Sequence, residues 1–452
     1  MKCPRIISIA VLMLLVASAS AFAQKRRVVN DTLTYKTGWT WSGLPAISYS
    51  TETGVQIGAL GHAYFHGDGS HYPQPIHDIG FEASYFTKGR TRAYVSYDSR
   101  LAVENLRISA SLSYINDPVY PFYGFNGAAQ SYNSGLGSIS FAMQRNWLRG
   151  LADVQGVILP HFNWAAGLAY WGLWTGEISD KRRTDILGDR DPSVYYQSNN
   201  YYNYVKDGLI RPHEAKGGQT LELKAGLSYD TRNIEAAPSK GIWAELFAFG
   251  SPNIFGSGFN YLKLAAHFRH YIGIPLEWKG GGMVFAYHLA YQGLLAGEAP
   301  FYLQQNLGNL VLRQMVSEGL GGYSSIRGTT SARIIANGFA WANIELRVKL
   351  FSFKLLNQFF YVGITPFFDL GVITQPYRAD EHYAFIRQHQ NPDLTREQYN
   401  KLVFRPQTSA GAGLKIGWNE NFVLTIDVAR CLDRTHGMDD GLWIDLNTGF
   451  MF

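Results

Sequence analysis

Between Ala340 and Leu350 the chain alternates without a break. Ala340, Ala342, Ile344, Leu346, Val348 and Leu350 fall on one side of an extended strand, and Asn343, Glu345, Arg347 and Lys349 on the other. Polar and charged side chains in register against an unbroken apolar row suit a wet lumen opposite lipid. The division recurs in Leu221, Leu223, Ala225, Leu227 and Tyr229 against Glu222, Lys224, Ser228 and Asp230. It recurs again in Phe422, Leu424, Ile426 and Val428 against Thr425 and Asp427.

The start of the chain fits export. Lys2 and Arg5 precede an apolar run from Ile6 to Ala19 and a small-x-small end at Ala21-Phe22-Ala23, the pattern of a cleaved signal peptide. That run is roughly fourteen residues, short of the about twenty that a spanning helix needs. No later segment reaches that length either, which excludes a helical membrane protein. Cys3 lies in the basic region and not at the cleavage site, so a lipid-modified N-terminus is not expected. The mature chain keeps one cysteine, Cys431, and no internal disulfide is possible. A chain with 15% aromatics and 47 glycines, polar on average, suits strands with one lipid face and one wet face. An exported soluble β-protein is the competing class. The charges are scattered, without a Lys/Arg run, so nucleic acid is not an expected partner.

Segments of this kind fall at about 44–51, 54–66, 78–87, 91–99, 104–115, 134–146, 157–177 and 219–230. A second set falls at about 238–250, 257–271, 280–295, 337–351, 358–373, 407–418, 421–431 and 442–452. The expected fold is therefore all-β: a transmembrane antiparallel barrel of about sixteen strands, an even number as a bacterial barrel requires. The long connections near 116–133, 178–218, 296–336 and 374–406 then share the outer end, and the turns near 232–240 and 418–421 the inner one. The expected division is 1–23 signal peptide, 24–43 short periplasmic segment and 44–452 barrel. The first strand is short and starts with Pro45, which lacks a ladder donor, so its edge is expected to pair weakly.

Three marks carry a resemblance. Gly321-Gly322 precede Ile326-Arg327-Gly328-Thr329 in the long connection before the twelfth strand, an acidic residue stands at Glu345, and Phe367-Phe368-Asp369-Leu370-Gly371 follows. This set resembles the BamA/TamA family of outer-membrane barrels, which includes the transporters of two-partner secretion. Thr329 departs from the aromatic that ends the family's V/I-R-G-F/Y tip. The resemblance implies an extracellular loop folded into the lumen, with Arg327 and Gly328 at its tip. A buried guanidinium is costly without carboxylates, and its fork can engage two, here Glu345 and Asp369, both inward by alternation. Gly328 and Gly371 would let backbone approach closely. Tyr229 to Asn233 through Pro238 to Gly241 looks like the family's periplasmic turn, and Tyr49 to Gly54 like its first hairpin. Phe450 and Phe452 share a lipid face with Leu442, Ile444 and Leu446, and a terminal aromatic is the usual barrel-insertion signal.

The resemblance further implies a bacterial outer-membrane location and a non-enzymatic role in inserting, exporting or scaffolding envelope components. Its partners would be outer-membrane lipids and, during biogenesis, the barrel-assembly machinery. Members that insert or export proteins usually carry POTRA domains; residues 24–43 are too short for one, so a separate periplasmic or POTRA-bearing partner would supply it. A passive or plugged channel and a surface-binding subunit are the alternatives. No cofactor or metal is expected: Asp189 and Asp191, two carboxylates in a loop, are weak evidence for calcium, and His267 and His270 do not share a strand face. No nucleophile elbow, H-E-x-x-H or phosphate loop occurs. The tyrosines at 195, 196, 201, 202 and 204 either bind a surface glycan or partner, or fold over the barrel mouth.

Overall fold

The computed structural model describes residues 36–452 apart from 51–52, 73, 133–135, 236, 254–257, 277, 279–280, 311–316, 356–357, 419–421 and 434–440. The expected signal peptide, most of the segment expected to follow it and the turn at 419–421 therefore lie outside the described residues. The strands are β1 (Trp39–Ser50), β2 (Gly54–Phe65), β3 (His77–Phe86), β4 (Thr91–Val103), β5 (Leu106–Pro121) and β6 (Ala142–Leu159). Next come β7 (Phe162–Gly176), β8 (Gly217–Asp230), β9 (Gly241–Pro252), β10 (Asn260–Ile274) and β11 (Gly282–Gly297). The rest are β12 (Gly338–Leu355), β13 (Gln358–Gln375), β14 (Gln407–Trp418), β15 (Phe422–Cys431) and β16 (Trp443–Thr448). Each pairs antiparallel with its chain neighbours and β16 meets β1, closing a sixteen-stranded barrel. No helix among the described residues is long and apolar enough to cross a membrane.

Alternation survives into three dimensions. On β12 Asn343, Glu345 and Arg347 are buried in the lumen, while Ile344 and Leu350 lie on the exposed outer face. Several boundaries differ from those expected, among them the ends of the fourth and fifth strands, and three of the differences bear on the site. The segment read as a connection before 157 is strand: β6 runs from Ala142 to Leu159, with the reversal at Pro160-His161, where His161 takes φ +66°. Arg145, Arg149 and Asp153 alternate inward along it, and Glu318 and Lys224 bond the first and last of them at 2.6 and 3.0 Å. Strand β1 starts at Trp39, so it is twelve residues long and Pro45 sits within it, opposite Ala59. Strand β16 ends at Thr448, because Gly449 at φ +84° turns the chain.

The third difference moves two predicted residues. Phe450 and Phe452 lie inside the lumen, not on the lipid face. The Arg347 guanidinium stands 4.2 Å from the Phe450 ring centroid and 5.1 Å from that of Phe452, and donates to the Phe452 main-chain oxygen at 2.7 Å. A left-handed glycine and a buried cation with two aromatic faces together draw the tail inward.

The four long loops build a dome over one end. They carry α1 (Asp180–Leu187), α2 (Ser193–Ser198), α3 (Asn200–Lys206), α4 (Ala379–His389) and α5 (Arg396–Val403). Helix α5 starts with a capping box between Thr395 and Gln398, and Asn199 caps α3 by accepting from the Tyr202 amide. Residues far apart in sequence share the dome's core. The Asn126 amide donates to the Tyr377 carbonyl at 2.8 Å, and Phe125, Tyr204 and Phe385 pack ring against ring. His382 bridges the hydroxyls of Tyr204 and Tyr399 at 3.0 and 2.9 Å, and burial lowers its pKa to about 3, leaving a neutral ring. Tyr195, Tyr201 and Tyr204 are buried, which turns most of the tyrosine cluster into packing over the mouth.

Candidate functional site

The connection from β11 to β12 folds back into the barrel, and its tip is over-determined. Gly321 and Gly322 take φ +124° and +78°, and Gly322 donates to Thr329 at 2.7 Å, closing a tight reversal around Ile326 and Arg327. Ser325 accepts from the Gly321 amide at 2.8 Å, while Asn343 of β12 hooks the Ser325 carbonyl at 2.6 Å. Gly328 is at φ +80°, and a Cβ there would come within 2.9 Å of the Arg430 amide and 3.0 Å of Ala429, both on the wall. Only glycine gives both that backbone angle and that approach.

Arg327 is fully buried. Its Nε and Nη2 donate to the two oxygens of Asp369, each at 2.9 Å, and its own amide donates to Asp369 at 3.0 Å. Its Nη1 donates to Glu345 at 2.6 Å and lies 3.8 Å from Asp427. The guanidinium also stands 3.5 Å over the Phe367 ring. The strand motif on β13 thus works at three levels of one inward row. Phe367 carries the cation's face, Asp369 takes its fork, and Gly371 leaves room for Ile326, whose Cδ1 would meet a Cβ there at 2.4 Å.

The cluster extends beyond those residues. Glu345 accepts from Arg347 at 2.9 Å, and Asp427 accepts from Lys415 at 2.9 Å. Asn343 also donates to Asp369 at 3.0 Å. Every carboxylate of the group therefore faces a cation, as burial demands. Asn343, Arg347 and Asp427 share inward rows with polar neighbours, so the sequence carried a signal for them. Lys415, a single charge in a run of Gly and Ala, carried only its parity.

The seam is weakly joined. Among the described residues, strand β1 pairs with β2 through twelve residue pairs, but with β16 through one, Tyr49 with Leu446. Strand β16 keeps six pairs to β15 before Gly449 diverts it. Elsewhere, Asp191 bonds the Ser193 amide at 2.8 Å, and no group of three metal-type ligands occurs among the described residues. Cys431 is buried at the end of β15.

The Omp85 superfamily domain model matches residues 184–452. No curated protein matches the chain. Among solved structures, it is similar to BamA from Haemophilus ducreyi lacking POTRA domains 1-3, at TM-score 0.55 and 16% identity, over 92% of this chain and 70% of that one. It is also similar to CdiB from Escherichia coli, at TM-score 0.56 and 11% identity, over 93% of this chain and 64% of CdiB, less than two thirds of its length. At these identities the likeness is one of fold. The match to more than half of the chain places this protein in the Omp85 superfamily, as a sixteen-stranded barrel of the bacterial outer membrane.

Proposed function

We propose that this barrel helps to insert, export or scaffold other envelope components by parting β1 from β16, with a separate periplasmic or POTRA-bearing partner delivering the client. The single residue pair at the seam carries this reading. A strand edge with few ladder partners is a template for another strand, and on the β16 side β1 is such an edge over most of its length. The dome and the inward loop support the seam over the axis as the working route, since they occupy the axial path. The arginine tip, Arg327 with Gly328, Glu345, Asp369 and Gly371, would act as the anchor that holds the loop there. Its role is structural and non-enzymatic, because its carboxylates are committed to cations and not to a reacting atom. Phe450 and Phe452 would serve barrel biogenesis, being read before the tail folds inward. The same filled axis favours a plugged channel as the second reading.

The test is capture at the seam. A photo-crosslinking residue at Ile47, on the outward face of β1, is expected to trap nascent outer-membrane chains in growing cells, and one at Leu289 on β11 is not. Equal capture at both sites, or none at Ile47, would remove the seam reading. The orientation has its own check in a Cys431→Ser background. Cysteines at Asp189 and Pro392, exposed on the dome, should label from outside intact cells, whereas one at Lys240, in the turn after β8, should not. The reverse pattern would invert the barrel.

A further inference from the structure

The wall is uneven at the dome's end. The connections from β1 to β2 and from β3 to β4 are short, at 51–53 and 87–90, whereas β5 and β6 run on past them. Strand β4 pairs with β5 as far as Thr91 opposite Asn116, but the next residues of β5 stay paired with β6, Asp117 with Arg145 and Pro121 with Ala142. Beyond the β3–β4 turn this edge of β5 has no strand beside it among the described residues, and a notch opens in the wall there.

The notch holds about 60 Å³, and its lining includes Thr53, Lys88, Arg90, Asp117, Tyr120 and, from the inward loop, Glu318. At about 15 Å³ for each water that is room for roughly four, the scale of one phosphate group and not of a whole sugar. Its carboxylates are engaged: Arg90 Nε donates to Asp117 at 2.8 Å, and Arg145 bonds Glu318 at 2.6 Å. These pairs cancel. Tyr120 is buried with the Arg145 guanidinium 3.5 Å over its ring, and its hydroxyl makes no hydrogen bond among the described residues. A buried phenol without a partner is costly, and an acceptor entering the notch would supply one.

Positive charge gathers at the mouth. Lys88 is exposed there, and helix α1 brings Arg182 to the same turn: a Cβ on Gly89 would come within 2.9 Å of Arg182 Nη2 and 3.3 Å of Pro118 Cγ. Glu177 and Asp180 are bonded to Arg183, and Arg182 has no ion pair among the described residues. The ladder sets the level of the mouth. Tyr85 stands opposite Thr91, Thr91 opposite Asn116, Asn116 opposite Asn146 and Asn146 opposite Trp174. Tyr85 and Trp174, with Tyr114 just below them, are exposed on the outer face. Exposed aromatic rings of this kind sit at the membrane–water interface, so Lys88 and Arg182, immediately beyond them, lie at the level of lipid headgroups.

We propose that the notch takes the phosphate of an outer-leaflet lipid headgroup, held by Lys88 and Arg182 at the mouth and by the Tyr120 hydroxyl within. A phosphate offers acceptor oxygens, and all three side chains can donate to them. The ligand is a lipid and not a solute because the mouth opens at headgroup level, over aromatic rings that give the acyl chains a face. The assignment takes the dome as the outer end, which the cysteine labelling checks separately, and it stands whether or not the seam parts.

Native mass spectrometry of the whole barrel, purified and delipidated in detergent, tests the site with diphosphoryl lipid A as the probe. Lys88→Ala combined with Arg182→Ala should weaken binding roughly thirty-fold, at about five-fold for each basic side chain beside an anionic headgroup. Tyr120→Phe should weaken it several-fold while the barrel remains heat-modifiable, and Lys401→Ala, on helix α5 of the dome, should leave it unchanged. Removing the phosphates from the lipid should bring the wild type down to the level of the double variant. Equal binding of the dephosphorylated lipid by the wild type, or wild-type affinity in the double variant, would overturn the proposal. Displacement of the lipid by an equal concentration of inorganic phosphate would put a free anion in the notch and overturn the lipid assignment.

Discussion

Arg327→Ala releases the inward loop at a cost of roughly 3 to 5 kcal/mol, the range for removing one partner of a buried ion pair. The figure belongs at that end because the whole cluster is dry: Arg327, Glu345 and Asp369 are each 0–1% exposed. Truncation removes both guanidinium bonds to Asp369 and the one to Glu345, taking the facing cation from a buried carboxylate, and leaves the Phe367 ring without its cation. Arg347 still serves Glu345 and Asn343 still serves Asp369, so the barrel should close normally and the loss should be confined to the loop. Limited proteolysis of folded barrels should then cut within 298–337 in the variant and not in the wild type. Arg327→Lys should fall between, since a point charge cannot bond Asp369 through two nitrogens and Glu345 through a third. A variant within about 0.5 kcal/mol of wild type, as for ordinary surface changes, would show that the anchor holds nothing.

The reach of the sequence follows from what each level of structure depends on. Side-chain parity on a strand is local, so Glu345 and Asp369 could be set on the lumen side from alternation, and their ion partner followed from the cost of burying charge. Strand ends depend on partners across the lumen. The inward charges of β6 made residues 147–156 look like a connection, although Glu318 from a distant loop and Lys224 of β8 satisfy two of them. The tail depends on a single backbone angle at Gly449 and on Arg347, a hundred residues earlier, and neither shows in the pattern of Leu442, Ile444 and Leu446. The dome lies furthest from sequence, because its core forms between loops: Asn126 meets Tyr377 and Tyr399, and no periodicity of one loop encodes the surface of another. Pro45 was assigned the right side of the barrel on the wrong ground. It sits inside a fully paired ladder with β2, and the weakness lies on the other edge, where β16 turns away.

That weakness yields the most demanding test. A disulfide between cysteines at Tyr49 and Leu446, the one residue pair across the seam among the described residues, is expected to abolish client insertion or export while the barrel stays folded and heat-modifiable, and reduction should restore it. Directly opposed residues in an antiparallel pair have Cα atoms about 4.5 to 5.5 Å apart, within the range a disulfide spans. Cys431, although buried at the end of β15, should be replaced first so that pairing is unambiguous. One bridge is placed at Tyr49 and Leu446 because that is the ladder pair between β1 and β16 among the described residues. Strand templating needs the β1 edge free, and the bridge ties that edge to the strand it must leave. An axial conduit needs no such freedom, so a plugged channel would work unchanged with the seam locked and respond instead to removal of the loop. Full activity in completely crosslinked barrels would therefore reject lateral opening and give the filled axis, with its arginine-anchored loop as the stopper, the functional role.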